Sequence, residues 1–206
     1  IFASRKLYLL LTRALCRRPP LEVLEAALGG GVELVQLREK PFSSDALPWI
    51  EEVIEVCDAF EAPVVINDRP DLALASGASL VHFGQEDLAS YWPGALKTRK
   101  FGLGISTHDL AELERARLEE PDYIGVGNCF PTETKGLDTA TEPAVIRELC
   151  QRSPVPAFAI GGINAGNLPS LLELGVCRIA VSSCILDAED PEQSARELRI
   201  RLDRGA

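Results

Sequence analysis

Gln36, Arg38 and Lys40 alternate with Leu37 and Glu39, and that spacing of two puts all three on one face of an extended segment. An amide and two cations side by side are suited to a polar, anionic ligand. A second cluster, Asn67–Asp68–Arg69, follows the apolar run Pro63–Asn67, and Gln85–Glu86–Asp87 follows the run Leu80–Gly84. Asp68 and Asp87 supply hard carboxylate oxygens with no His or Cys close by, a donor set that suits Mg²⁺ completed by substrate phosphates. Ser106, Thr107 and His108 close a third run. The segment Asp122–Lys135, DYIGVGNCFPTETK, begins as an apolar stretch and ends in Thr132, Thr134 and Lys135. Gly161–Gly162 and Ser182–Ser183 end the last two runs and offer backbone N–H groups for a second anion. Hydroxyls, cations and two carboxylates that all follow apolar runs point to chemistry on a phosphorylated small molecule.

Such residues need elements that bring them together. Eight runs read as buried parallel strands: Lys6–Leu11, Leu34–Arg38, Pro63–Asn67, Leu80–Gly84, Phe101–Ser106, Tyr123–Gly127, Pro156–Ile160 and Arg178–Ser182. Amphipathic segments lie between them at Leu21–Leu28, Ala46–Phe60, Leu110–Glu119, Ala144–Gln151 and Leu168–Leu174, with Pro191–Leu202 as a closing helix. Gly29–Gly31, Gly77, Pro121, Pro154 and Gly175 mark the turns. Eight strands alternating with helices over 206 residues predict an α/β fold, a single (β/α)8 barrel spanning residues 1–206. A doubly wound open sheet shares the alternation but would gather its polar residues at one crevice. Here polar residues follow nearly every strand, as a barrel requires for convergence on one site.

The bland alternatives are specific. Asp68 could cap the following helix, Ser106–Thr107 could cap the next, and Arg38 with Glu39 could form a solvated ion pair. His82 reads as a satisfied barrel histidine, and His108 as part of the first turn of the fifth helix. Co-location of all three kinds of group favours a site over a set of independent caps.

Composition sets the surroundings. With 21 basic against 31 acidic residues the net charge is −10, which argues against nucleic acid or an anionic membrane as partner. No apolar run approaches the ~18–20 residues of a membrane span, and Ile1–Leu15 lacks a signal-peptide cleavage pattern, so a soluble, cytoplasmic protein is expected. The absence of Met reads as a chain that begins inside a longer one. The six cysteines form no CxxC pair and are expected to be free thiols, with Cys129 buried and structural.

The motifs QLREK (36–40), INDRPDLA (66–73), VHFGQEDL (81–88), GISTH (104–108), PTETK (131–135), AIGGI (159–163) and AVSS (180–183) together resemble the thiamine-phosphate synthase family, which includes TenI-type thiazole tautomerases. The resemblance covers nearly the whole chain. It implies that Gln36, Arg38, Lys40, Asn67, Ser106 and Lys135 hold 4-amino-2-methyl-5-hydroxymethylpyrimidine diphosphate, with Arg38, Lys40, Ser106 and Lys135 catalytic. It implies Mg²⁺ on Asp68 and Asp87, and a thiazole phosphate at Thr132, Thr134, Gly162, Ser182 and Ser183. The implied reaction is Mg²⁺-dependent coupling with release of diphosphate. Asn128 stands where tautomerases carry a proton-transferring His, and an amide cannot serve as that base. Gln36, both aspartates and the Thr-x-Thr-Lys are retained, and a tautomerase has no diphosphate to ionise, so the synthase is preferred; a tautomerase remains an alternative, and Asn128 with the short stretch Gly136–Thr141 keeps a non-catalytic binder of thiamine precursors as a third. The sequence leaves oligomeric state, a homo-oligomer included, open.

Overall fold

A computed structural model describes residues 1–88, 90, 99–131 and 140–205. Eight strands, β1 (Leu7–Leu11), β2 (Leu34–Leu37), β3 (Val64–Asn67), β4 (Leu80–Phe83), β5 (Gly102–Thr107), β6 (Tyr123–Val126), β7 (Ala157–Ile160) and β8 (Ile179–Val181), pair in chain order, and β8 returns to β1 to close a parallel barrel. The open-sheet alternative is thereby excluded. The helices are α1 (Pro20–Gly29), α2 (Ala46–Asp58), α3 (Pro70–Ser76), α4 (Gln85–Leu88), α5 (Leu110–Arg117), α6 (Pro143–Arg152), α7 (Leu168–Leu172), α8 (Ser183–Leu186) and α9 (Pro191–Arg204). Among the described residues, no helix is long and apolar enough to cross a membrane.

Period-two alternation divides each strand between two cores. In β1, Leu7, Leu9 and Leu11 join the layer between barrel and helices, whereas Tyr8 and Leu10 join a second cluster with Leu34, Val65, Leu80, Tyr123, Phe158 and Ala180. Two residues further along several strands the same face turns polar: Gln36 after Leu34, Asn67 after Val65, His82 after Leu80. A barrel interior that is apolar below and polar above is what carries ligand groups to the carboxyl ends of the strands. Gly104 makes this possible, since a Cβ there would lie 2.1 Å from the Tyr123 ring. Phe2 closes the opposite end, its ring centroid 4.5 Å from that of Tyr123.

Three helices have no counterpart in the sequence periodicity. α4 and α8 span four residues each and α3 seven, too few turns to write a 3.6-residue pattern. His108 also differs from expectation. It lies before the helix, whose N-cap is Asp109: that carboxylate accepts the Glu112 N–H at 2.8 Å. Glu112 reaches back to accept the His108 backbone N–H, also at 2.8 Å, a reciprocal cap displaced by one residue from the usual capping box.

Candidate active site

The strand ends enclose a cleft in two lobes. One lobe has about 490 Å³ of free space and is lined by Gln36, Arg38, Lys40, Asn67, Asp68, His82 and Ser106 with Tyr8 and Tyr123 at its floor. The other, about 650 Å³, is lined by Thr12, His108, Asn128, Gly161, Gly162, Ser182 and Ser183. Leu10, Arg38, Ile160 and Ala180 belong to both walls. Arg38 therefore stands between the lobes. Among the described residues it has no carboxylate partner; Glu39 instead accepts the Arg13 backbone N–H at 2.9 Å and lies 3.5 Å from its guanidinium. The alternative of a solvated Arg38–Glu39 pair is thereby excluded.

In the first lobe, Lys40 Nζ lies 2.7 Å from Asp68 Oδ2 and 3.6 Å from Asp87 Oδ2. Asp68 is no helix cap: Arg69 holds that place, and the Asp68 carboxylate accepts the Gly84 N–H at 3.3 Å and a hydrogen bond from Asn67 Nδ2. Burial first, and then the negative charge of Asp68, push the Asp87 carboxyl above its ordinary range, with Lys40 opposing. Two carboxylates that repel each other around one cation form a place that favours positive charge. No cluster of three or more His, Cys, Asp or Glu suited to a metal occurs among the described residues. The pair thus fits a hard divalent ion only with water and phosphate oxygens completing its shell.

Under the ligand-facing layer runs a buried relay. Gln36 Nε2 donates to Tyr8 Oη (2.7 Å), Tyr8 and Tyr123 share a hydroxyl bond (2.8 Å), Tyr123 Oη meets His82 Nδ1 (3.0 Å), and His82 Nε2 meets Ser106 Oγ (2.9 Å). Burial pushes both phenols well above their ordinary pKa, so each keeps its hydrogen. His82 is the satisfied barrel histidine expected. Ser106 and Thr107 are the last two residues of β5 rather than helix caps, and Thr107 Oγ1 donates to the Gly125 carbonyl at 2.9 Å. Sequence reasoning missed Tyr8 and Tyr123 because each lies at or next to the start of an apolar strand; their register on the inward face was the available signal.

The second lobe is built from tight backbone. Gly161 and Gly162 have φ of +103° and +61°, and a Cβ on Gly161 would fall 1.9 Å from Asn128 Oδ1. Asn128 is 8% exposed, and its Nδ2 has no hydrogen-bond partner among the described residues. Ser182 donates its hydroxyl to the Leu10 carbonyl at 3.0 Å, and Ser183 opens α8 with its side chain exposed. The first N–H groups of a helix have no partner within it and suit an anion. His108 Nδ1 lies 2.8 Å from Glu112 Oε2, which orients the imidazole. Cys129 is buried, and burial pushes its thiol up to about 12, so it is structural rather than nucleophilic. Thr132, Thr134 and Lys135 lie outside the described residues.

Comparison with known proteins matches residues 7–185 to the family described as thiamine monophosphate synthase. A thiamine-phosphate synthase of a Mycobacterium species (strain KMS) is 39% identical over 196 residues, covering 88% of this chain and 85% of the relative. One from Thermus thermophilus is 42% identical over 187 residues, covering 88% of each. The solved structure of a thiamine phosphate pyrophosphorylase from Pyrococcus furiosus superposes with a TM-score of 0.85 at 30% identity, covering 97% of this chain and 96% of that one.

Proposed function

The chain belongs to the thiamine monophosphate synthase family, and we propose that it couples 4-amino-2-methyl-5-hydroxymethylpyrimidine diphosphate to a thiazole phosphate, giving thiamine phosphate and diphosphate. The observation that carries this reading is the division of the cleft into two lobes that share Arg38. A coupling enzyme must hold two anionic substrates with their reacting atoms adjacent, and a common wall does so.

Gln36, Asn67 and Ser106 would hold the pyrimidine; Arg38, Lys40 and Lys135 would neutralise its diphosphate. Gly162, Ser182 and Ser183, with Thr132 and Thr134, would take the thiazole phosphate. The thiazole nitrogen bonds to the pyrimidine methylene carbon as the C–O bond breaks, and the electron pair leaves on the diphosphate oxygen. No protein nucleophile is needed. Mg²⁺ is the fitting ion, held by Asp68 and Asp87, and when bound it spreads the charge of the departing diphosphate. Lys40, beside the same carboxylates, would yield that place to the ion and turn its ammonium to the leaving group, and the buried floor would keep water from the electrophilic carbon. The small, anionic substrates fit a cytoplasmic setting.

The test is incubation of the protein with both substrates and Mg²⁺, following thiamine phosphate and diphosphate by chromatography. Stoichiometric appearance of both is expected, and chelation should abolish it; no product at high enzyme concentration rejects the synthase.

One observation favours a second reading. His108, its ring held by Glu112, lines the thiazole lobe and would supply the base that Asn128 cannot. Isomerisation of a thiazole carboxylate phosphate without coupling, lost in His108→Gln, would establish a tautomerase instead.

A further inference from the structure

The relay from Gln36 to Ser106 has a direction as well as a set of partners. Both phenols carry one hydrogen, and a neutral imidazole has one donor and one acceptor nitrogen. If Gln36 donates to Tyr8, then Tyr8 donates to Tyr123, Tyr123 to His82 Nδ1, and His82 Nε2–H to Ser106 Oγ. The Ser106 hydroxyl hydrogen is then left for the cavity, and so is the Gln36 carbonyl oxygen. The reverse order satisfies the same internal bonds but presents a Gln36 N–H and a Ser106 lone pair. The two ends, from strands on different sides of the barrel, therefore change character together.

Two features select the first order. The Gln36 amide nitrogen lies 2.7 Å from Tyr8 Oη, the donor arrangement. The lobe above is lined by Arg38 and Lys40, and cations favour a carbonyl oxygen facing them over an N–H.

We infer that His82, as its Nε2–H tautomer, fixes the relay in this order, so that Gln36 accepts and Ser106 donates toward the cavity. The site then selects a ligand with an amino donor at one end and an anionic oxygen at the other. This rests on the proposed pyrimidine diphosphate substrate and adds the device that reads its amino group. Tyr8, Tyr123 and His82 are positioning residues in this account: they act by fixing the groups at either end. A buried polar chain with every member satisfied resists reversal, because turning one member turns all five.

The experiment separates the ends. Nitrogen NMR of histidine-labelled protein is readily assigned, since the chain has only two histidines. His82 should appear protonated on Nε2 in the wild type and in Tyr8→Phe, and as a tautomer mixture in Tyr123→Phe, where Nδ1 loses its donor. Calorimetric binding of the 4-amino pyrimidine diphosphate and its 4-oxo analogue reads the Gln36 end. Tyr8→Phe, which leaves the Gln36 amide able to turn, should reduce the preference for the amino compound at least about tenfold. An unchanged preference in folded Tyr8→Phe, or an Nδ1–H tautomer in the wild type, overturns the relay. Because binding and tautomer are read without turnover, failure to make thiamine phosphate rejects the synthase reading and leaves this result to stand or fall separately.

Discussion

Asp68 holds the Lys40 ammonium at 2.7 Å from a left-handed backbone, φ +59°, that few non-glycine residues adopt. The Gly84 N–H and the Asn67 amide anchor the same carboxylate, so the strain is met by bonds that fix its direction.

The conformation and the charge of Asp68 are separable. Asn tolerates the left-handed region nearly as well as Asp, so Asp68→Asn should change folding stability by less than about 1 kcal/mol, whereas Asp68→Leu should cost about 1–2 kcal/mol more. Both should lower kcat/KM by about 100-fold or more, because each removes the carboxylate opposite Lys40. Denaturant titration beside steady-state kinetics checks this. Equal stability of the two variants would reject the strain, and full activity of Asp68→Asn would reject the role of the charge.

Asp87 should reveal a conflict between stability and function. Its carboxyl is raised in the folded state by burial and by Asp68, from an ordinary value of 3.8. The folded protein therefore favours the protonated form: the favourable contribution is complete below the unfolded value and is lost as pH rises through the folded one. At neutral pH the ionised group is a burden, limited by solvent to less than about 1 kcal/mol because its side chain is 40% exposed. Asp87→Asn should raise Tm slightly at pH 7, with the gain shrinking as pH falls toward the ordinary carboxyl value of 3.8, while activity is lost. A Tm difference that is flat with pH, or of opposite sign, contradicts the repulsion.

Some of the site was written in local sequence. Gln36, Arg38 and Lys40 declare their shared face by period two, and Asp68 and Asp87 their proximity by following adjacent strands, Asp68 directly after β3 and Asp87 in α4 just beyond β4. The strands themselves were legible for the same reason, being β-branched runs buried on both sides. The relay was not. Tyr8 and Tyr123 are hidden in apolar runs, and their bond joins positions 115 residues apart, a distance that only barrel closure removes. The packing of Asn128 on Gly161 was equally hidden, because it depends on β6 and β7 lying side by side. His108 was misread because a hydrophobic pattern locates a helix but not its cap, and Asp109 competes for that place.

The Asn128–Gly161 contact predicts a compensating pair. A methyl at Gly161 meets Asn128 Oδ1 at 1.9 Å and its Cα at 2.9 Å, on a backbone at φ +103°. Gly161→Ala should cost about 2 kcal/mol or more and raise KM for the thiazole phosphate. Asn128→Gly removes the side-chain part of the clash, so the double variant should recover part of the loss while the backbone strain persists. Additive losses in the double-mutant cycle would show that the two residues do not press on each other.

Arg38 and Lys40 share a charge and a strand end, yet they should fail differently when removed. Lys40 lines only the lobe with the two carboxylates, whereas Arg38 lines both and has no carboxylate partner among the described residues. Lys40→Ala should raise KM for the pyrimidine diphosphate and lower kcat, leaving KM for the thiazole phosphate near its original value. Arg38→Ala should raise both Michaelis constants, each by about tenfold or more, as expected for loss of a charge-assisted contact. Arg38→Lys should restore charge without the planar fork and so recover only part of either. Steady-state kinetics with each substrate varied in turn decides the matter: if Arg38→Ala affects one substrate alone, the guanidinium serves a single lobe, and the shared wall does not bring the two substrates together.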